Sequence, residues 1–288
     1  MRRVELVAGI QSSVIGFGCA PILGSVGSEV AERAIRAVLE VGINHFDLAR
    51  SYGYGRAEAM VGRVLRGRRD DVVLATKFGI EATLAARLLA PLKPLVRALR
   101  SRKTPVPTGG SARKISPAPT PNRLASMLHR RVPFDPATMI RSLEASLRAL
   151  GTDRVEYLFL HAPTESIAKM DDLAATAERL KQQGKIRAWG LASYCESRPL
   201  HASYLRMFDV LQFDCSPSVP EYGDIVAEMG GRPNVLFSPF RQSQKTTERL
   251  APTQILKRLL GDFPKSVVLC SMFNETHIRD NAAAVADV

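Results

Sequence analysis

The sequence predicts a (β/α)8 barrel, an α/β fold in which eight parallel strands close a cylinder inside a ring of helices. Eight short apolar runs alternate with longer segments of helical periodicity. The runs are apolar almost throughout, as in a parallel sheet that is buried on both faces. The 288 residues also match the length of about 250 residues that is typical of such a barrel, plus one insertion.

The eight apolar runs predict the strands in order. They span residues 13–20, 44–49, 71–78, 155–161, 186–193, 210–216, 234–240 and 266–272. A doubly wound open sheet is the alternative, but "GFGCAPILG" after the first run does not match the phosphate-binding pattern G-x-G-x-x-G. The count of eight therefore favours the closed barrel.

The segments between the runs predict helices. "EVAERAIRAVLEVG" ends at Gly42, a typical helix stop. "DPATMIRSLEASLRALG" is more specific, with Asp135 as the N-cap and Pro136 at the first helical position. Its apolar residues form one stripe before Gly151. Nothing divides the chain, so we expect a single domain over 1–288.

Composition excludes several classes of protein. Hydrophobic residues make up 45% and charged residues 24%, which is typical of a folded globular enzyme. No apolar stretch approaches the roughly 20 residues needed to cross a bilayer, and Glu5 and Gln11 interrupt any signal peptide, so we expect a cytoplasmic protein. The cysteines are Cys19, Cys195, Cys215 and Cys270. Their spacing does not match that of metal ligands, so we expect no metal site and expect the cysteines to be small buried hydrophobic residues.

The net charge of +12 is concentrated in one segment. Residues 82–131 hold eleven Lys or Arg, no Asp or Glu, and seven of the eighteen prolines, which predicts a basic insertion after the third strand. We expect it to overhang the carboxyl end of the barrel. Its function has three alternatives: a solubilising loop, a rim that attracts anionic substrates or cofactor phosphates, or a contact with membrane or nucleic acid. The segment lacks the aromatic residues that stack on bases.

Polar side chains end three consecutive predicted strands. Asp47 lies near the end of the second, Tyr52 follows in its loop, Lys77 ends the third and His161 closes the fourth. Taken one at a time, these residues have ordinary structural explanations. An aspartate before a turn is usually a cap, a lysine at a strand end is usually solvated, and a histidine after an apolar run is usually a core residue. Because the carboxyl ends of barrel strands meet at one rim, where active sites lie, their coincidence predicts a catalytic site.

These four groups suit proton transfer to a carbonyl oxygen. An unperturbed tyrosine has a pKa of about 10, and a nearby lysine cation would lower it. Asp47 would keep Lys77 charged, and His161 would donate a hydrogen bond to the carbonyl oxygen. No side chain can supply a hydride, which predicts a nicotinamide cofactor.

The chain resembles the aldo-keto reductase family in three stretches. Residues 42–79 join an Asp strand, a Tyr-Gly loop, a Glu-containing helix and a Thr-Lys strand ("NHFDLARSYGYG" and "LATKFG"), and residues 142–163 and 184–193 resemble the motifs that follow. The resemblance implies a (β/α)8 barrel and NADPH-dependent carbonyl reduction. It also implies a catalytic tetrad, which falls on Asp47, Tyr52, Lys77 and His161.

The resemblance further implies a cofactor site in the second half of the chain. Gln212 stands where the family's glutamine holds the nicotinamide amide, and Phe237 where an aromatic ring stacks on the nicotinamide. Residues 271–281 resemble the motif that grips the adenosine phosphate. The complete implied set is Gly18, Asp47, Ser193, Gln212, Phe237, Ser238, Phe240, Ser271, Phe273, His277 and Asn281.

Some positions depart from the family pattern. Ala192-Ser193 replaces a Ser-Asn pair, which removes one amide contact, and Phe273 cannot neutralise a 2′-phosphate, so NADH is an alternative to NADPH. Lys265, Arg279 or the insertion are candidates to compensate. The short stretch after Arg241 and the end at Val288 predict an open substrate site with fast cofactor exchange.

We therefore expect an oxidoreductase that reduces a small aldehyde or ketone, with an anionic carbonyl as one candidate substrate. One alternative is a sugar or secondary-alcohol dehydrogenase that works in the oxidative direction. The other is a cofactor-binding sensor with negligible turnover. The intact tetrad argues against the sensor.

Overall fold

The computed structural model describes residues 1–89, 128–241 and 250–286. Its strands are β1 (Arg3–Glu5), β2 (Gln11–Ser13), β3 (Ile15–Gly18), β4 (His45–Asp47), β5 (Val73–Phe78), β6 (Ile80–Ala82), β7 (His129–Arg131), β8 (Val155–His161), β9 (Ile186–Ser193), β10 (Val210–Asp214), β11 (Asn234–Phe237) and β12 (Val267–Cys270). Of the insertion predicted at 82–131, residues 90–127 lie outside the described ranges.

Eight of these strands close a parallel barrel. The order is β3, β4, β5, β8, β9, β10, β11 and β12, and β12 pairs back onto β3. Each of the eight apolar runs contains one of these strands, so the predicted fold is confirmed. The antiparallel pairs β1–β2 and β6–β7, called hairpins below, form two separate two-stranded sheets.

Helices follow the strands and pack around the barrel. They are α1 (Ser28–Glu40), α2 (Ala57–Val64), α3 (Leu84–Leu89), α4 (Pro136–Leu150), α5 (Met170–Gln182), α6 (Tyr222–Met229), α7 (Pro252–Asp262) and α8 (Glu275–Ala284). Short 3-10 helices occur at Tyr52–Gly55, Arg69–Asp71 and Cys195–Met207.

Helix α4 has the ends that its sequence predicts. The side chain of Asp135 accepts a hydrogen bond from the Thr138 amide at 2.7 Å, which satisfies one of the unpaired N–H groups of the first turn. Gly151 ends the helix in the left-handed conformation with φ 68°. Met139 and Leu143 on the predicted stripe are fully buried.

Two apolar layers hold the fold together. The inner layer fills the barrel with side chains that alternate along the strands, among them Ala75, Tyr157 and Phe159. The turn of the β1–β2 hairpin adds Leu6 and Ile10 to this layer. The outer layer lies between strands and helices. Cys19, Cys215 and Cys270 are buried as predicted, while Cys195 is partly exposed.

The strand register places the polar rim residues on adjacent strands. Gly18 of β3 pairs with Asp47 of β4, and Asp47 pairs with Ala75 of β5. Lys77, two residues further along β5, pairs with Phe159 of β8. His161 ends β8 two residues beyond Phe159. The barrel therefore brings Asp47, Lys77 and His161 to its carboxyl end.

Candidate active site

A buried ion pair forms the base of the candidate site. Lys77 Nζ lies 2.5 Å from Asp47 Oδ1, and the exposed fractions of the two side chains are only 3% and 5%. Lys77 also donates to the Leu48 carbonyl at 2.9 Å, and Gln212 Nε2 donates to Asp47 Oδ1 at 3.0 Å. These hydrogen bonds compensate charges that would otherwise be costly to bury.

Tyr52 reaches this pair from the loop after β4. Its ring centroid lies 5.4 Å from Lys77 Nζ. The loop turns sharply through Gly53 (φ 56°) and Tyr54 (φ 59°). A Cβ on Gly53 would come within 2.7 Å of the Ile22 carbonyl oxygen, so glycine is required for both space and backbone conformation.

His161 completes the group beside Tyr52. The two rings meet edge to face, with centroids 6.0 Å apart and an interplanar angle of 85°. Burial lowers the pKa of His161 to about 3, and the cations Lys77 and Arg131 and the His129 ring add to this shift. His161 is therefore neutral near pH 7, and one of its ring nitrogens carries a proton that it can donate. In the described ranges, its buried Nδ1 has no hydrogen-bond partner.

The predicted lowering of the pKa of Tyr52 is wrong for this arrangement. Burial raises the pKa of Tyr52 well above its ordinary value, and the negative charge of Asp47 raises it further. Asp47 lies 2.5 Å from Lys77, so its negative charge opposes the stabilisation that the Lys77 cation would give to a Tyr52 phenolate. Tyr52 therefore remains a protonated hydrogen-bond donor at neutral pH.

A second buried ion pair supports the Tyr52 loop. Arg50 Nη1 pairs with Glu58 Oε2, and Glu58 Oε1 accepts from Thr76 Oγ1 at 2.7 Å. Arg50 belongs to the Tyr52 loop, Glu58 to α2 and Thr76 to β5. The sequence predicts a Glu-containing helix here but no role for Glu58. Its one signal is an acid beside alanines and Met60 on a mostly apolar helix.

The residues implied for the cofactor lie at the carboxyl ends of β3 and β9 to β12 and in the loops beyond. Gln212 and Ser193 are buried at the end of the barrel, with Gln212 next to Asp47. Ser271 Oγ donates to the Gly18 carbonyl at 3.0 Å. Phe237 meets the Tyr194 ring edge to face at 5.6 Å.

The remaining implied residues lie in the adjoining loops and on helix α8. Ser238 is exposed with φ 56°, and Phe240 is partly buried. Phe273 packs against Phe17 with ring centroids 5.2 Å apart. His277 is exposed at the start of α8, whereas Asn281 is buried and its Nδ2 lies 3.1 Å from Met272 Sδ.

The buried histidines predict a loss of stability in mild acid. Burial, with a smaller contribution from Lys77, lowers the pKa of His45 inside the barrel to about 3, as it does for His161. The unfolded chain, with a histidine pKa of about 6.5, binds more protons between these values, so stability falls as pH falls below about 6.5. At pH 5, His45 alone should contribute a loss of about 2 kcal/mol.

Urea unfolding at pH 7 and pH 5 measures this loss. The free energy of unfolding of His45→Gln should fall less between these pH values than that of the wild type. His277→Gln, which changes an exposed histidine, should behave as the wild type. An equal loss in wild type and His45→Gln would contradict the prediction.

The described residues offer neither a metal site nor a membrane-spanning helix. Within residues 1–89, 128–241 and 250–286, no three His, Cys, Asp or Glu side chains gather where they could hold a metal ion. No helix in the same ranges has the length and apolar character needed to cross a membrane.

Sequence comparison identifies relatives of the chain. Residues 14–198 match the family model described as the aldo/keto reductase family. Aldo-keto reductase YhdN of Bacillus subtilis is 27% identical over 192 residues, which cover 65% of this chain and 45% of that protein. Pyridoxal 4-dehydrogenase of Microbacterium luteolum is 30% identical over 163 residues, covering 53% and 40%. The chain thus spans about half the length of the curated relatives it matches.

Solved structures share the fold. The holo form of an aldo-keto reductase from Bacillus halodurans has a TM-score of 0.68 and 23% identity, covering 100% of this chain and 92% of that one. An aldo-keto reductase from Klebsiella pneumoniae in complex with NADPH has a TM-score of 0.64 and 19% identity, covering 100% and 90%.

Proposed function

Because the chain belongs to the aldo-keto reductase family, we propose that it is an oxidoreductase that reduces a small aldehyde or ketone to the alcohol with a nicotinamide cofactor. The observation that carries this proposal is the group formed by Asp47, Lys77, Tyr52 and His161 at the carboxyl end of the barrel. This group offers two uncharged donors, a hydroxyl and an imidazole N–H, beside a charge-balanced ion pair.

The two donors suit a substrate carbonyl oxygen. Tyr52 and neutral His161 would each donate a hydrogen bond to it, which orients the carbonyl and stabilises the negative charge that develops on its oxygen. Since an alkoxide is a stronger base than a phenolate, Tyr52 would then transfer its proton to that oxygen in spite of its raised pKa. Lys77, whose Nζ lies 5.4 Å from the centre of the Tyr52 ring, would stabilise the resulting phenolate.

Asp47 acts through Lys77 in this scheme. Its carboxylate holds the ammonium in place and keeps it charged although it is buried. Residues of the Tyr52 loop are held by the Arg50–Glu58 pair, so the hydroxyl needs little rearrangement before proton transfer.

The residues present fit a nicotinamide cofactor. In the described part of the chain, Gln212 Oε1 is buried and has no hydrogen-bond partner. The Nε2 of the same side chain donates a hydrogen bond to Asp47. A carboxamide N–H is the kind of donor that this oxygen lacks. When bound, the cofactor would supply the hydride that reduces the carbonyl carbon. Gln212 and Ser193 would hold its amide, and Phe237 would pack on its ring.

The adenosine phosphate end of the cofactor site remains a prediction. His277 and Asn281 would lie along it, together with Ser271, Ser238 and Phe240. Phe273 packs on Phe17 and carries no charge, and Arg279 lies 3.6 Å from Glu40. Neither side chain is an unpaired cation for a 2′-phosphate, which keeps NADH as the alternative. We propose NADPH as the cofactor because the related enzyme from Klebsiella pneumoniae was solved in complex with NADPH.

Removing the Gln212 amide should weaken cofactor binding. In Gln212→Leu, the buried acceptor for the nicotinamide amide is lost, and we expect the Kd of NADPH to rise about tenfold. Quenching of the fluorescence of Trp189, the single tryptophan, or NADPH fluorescence itself reports the Kd without turnover.

The matched control for this variant is Gln182→Leu, which removes an exposed amide at the end of α5. It should bind NADPH as the wild type does. A Kd that is unchanged in Gln212→Leu would show that this side chain does not hold the cofactor.

The proposed activity is tested by NADPH oxidation with a panel of neutral and anionic aldehydes and ketones. Turnover of at least one of them is expected. The names of some relatives, such as pyridoxal 4-dehydrogenase and D-threo-aldose 1-dehydrogenase, motivate a parallel assay of NADP+ reduction with alcohols and sugars. Tight NADPH binding without turnover in either direction would refute the proposed enzymatic activity and favour a cofactor-binding sensor.

A further inference from the structure

The β6–β7 hairpin presents two different faces at the rim of the barrel. Its register pairs Ile80 with Arg131 and Ala82 with His129. Since successive residues of a strand point to opposite faces, His129 and Arg131 share one face and Arg130 lies on the other. Arg130 is neutralised there by Glu81 at 2.9 Å, and Glu81 accepts a further hydrogen bond from Ser142 of α4.

The face of His129 and Arg131 lies between the two loops that carry the proposed oxygen donors. The His129 ring stacks on Tyr54, with centroids 6.2 Å apart and an interplanar angle of 13°, two residues beyond Tyr52. Arg131 Nη1 donates to the Ala162 carbonyl at 2.7 Å, directly after His161. The Arg131 guanidinium therefore contacts the loop that follows one of the two proposed donors, and its charge acts on the His161 ring.

Among residues 1–89, 128–241 and 250–286, the carboxylates near this rim are paired with cations other than Arg131. Asp47 is paired with Lys77, Glu81 with Arg130, and Asp214 with Arg241. In the described part of the chain, no carboxylate lies within ion-pair distance of Arg131, and the sequence of the insertion at 82–131 contains no acid at all. The Arg131 side chain is exposed, and its charge contributes to the lowered pKa of His161.

We propose that Arg131 is a specificity residue that binds the anionic group of the substrate, so that the enzyme prefers small carbonyl compounds bearing a carboxylate or phosphate. This inference rests on the proposed reductase function. One nitrogen of the guanidinium is held by the Ala162 carbonyl, which limits its rotation. The remaining N–H groups can donate parallel hydrogen bonds to two oxygens of a carboxylate or phosphate. A lysine would keep the charge without this geometry.

Matched aldehydes test this proposal. The measured quantity is the ratio of kcat/KM for para-carboxybenzaldehyde, or for para-formylphenyl phosphate, to kcat/KM for para-methylbenzaldehyde. The ratio cancels general effects of a substitution on folding or cofactor binding. We expect Arg131→Gln to lower it about tenfold, Arg131→Lys to lower it less, and Arg130→Gln to leave it as in the wild type.

Each outcome decides the proposal. A fall confined to the carboxylate or to the phosphate compound supports it and identifies the group that Arg131 recognises. A ratio that is unchanged in Arg131→Gln, or that falls equally in Arg130→Gln, overturns it. Absence of turnover with every aldehyde, the neutral one included, would instead overturn the proposed reductase function on which it rests.

Discussion

Substitution of Tyr52 by phenylalanine should lower kcat by about a thousandfold, within the range of about 10²–10⁴ that positioned proton donors contribute. The ring would keep its place against His161, at 6.0 Å, and near Lys77, so only the hydroxyl is lost. Without it, the oxygen of the substrate retains the hydrogen bond from His161 but has no side-chain proton to accept. Steady-state NADPH oxidation with the best aldehyde of the panel measures the loss.

The control is Tyr54→Phe, which removes a hydroxyl two residues along the same loop and keeps the ring that stacks on His129. It should retain most of the wild-type kcat. The Kd of NADPH should be the same in Tyr52→Phe as in the wild type, which separates the chemical step from cofactor binding. If Tyr52→Phe turns over as fast as the wild type, Tyr52 is not the proton donor.

Breaking the Asp47–Lys77 ion pair should have the largest effect on stability. Each of Asp47→Asn and Lys77→Met leaves one buried charge without its partner, and we expect the free energy of unfolding to fall by about 3–5 kcal/mol in each. The side chains are only 5% and 3% exposed, so solvent cannot replace the lost partner. Urea unfolding at pH 7 measures both losses.

The double variant distinguishes the interaction energy of the ion pair from the separate contributions of its two side chains. Asp47→Asn with Lys77→Met removes both charges, so its free energy of unfolding should fall by clearly less than the sum of the single losses. Its activity should not recover, because the phenolate of Tyr52 would still lack a neighbouring cation. Losses that add up would show that the two side chains stabilise the fold independently.

Much of the barrel could be predicted from the sequence because it depends on local patterns. The eight apolar runs predict the eight barrel strands. Asp135 and Pro136 predict the start of α4, and Gly151 predicts its end, as observed. The rim position of Asp47, Lys77 and His161 followed from the rule that parallel strands end at the same side of a barrel.

Other features of the site depend on contacts that the sequence does not record. Whether Lys77 or Asp47 dominates the pKa of Tyr52 depends on distances between three elements and on burial, and the structure reverses the predicted direction. The Arg50–Glu58 and Glu58–Thr76 hydrogen bonds connect residues 8 and 18 positions apart. The pairing of β6 with β7 joins the two ends of the insertion predicted at 82–131. No local periodicity predicts such contacts.

The Arg50–Glu58 ion pair limits how this protein can be engineered. It fixes the chain length between the two residues, because Glu58 must reach both the loop and Thr76 of β5. An insertion or deletion there would separate the buried charges and displace Tyr52 together with them. New substrate preferences therefore have to be designed by exchanging side chains, such as those on the His129 and Arg131 face of the hairpin, while the length of this loop is kept.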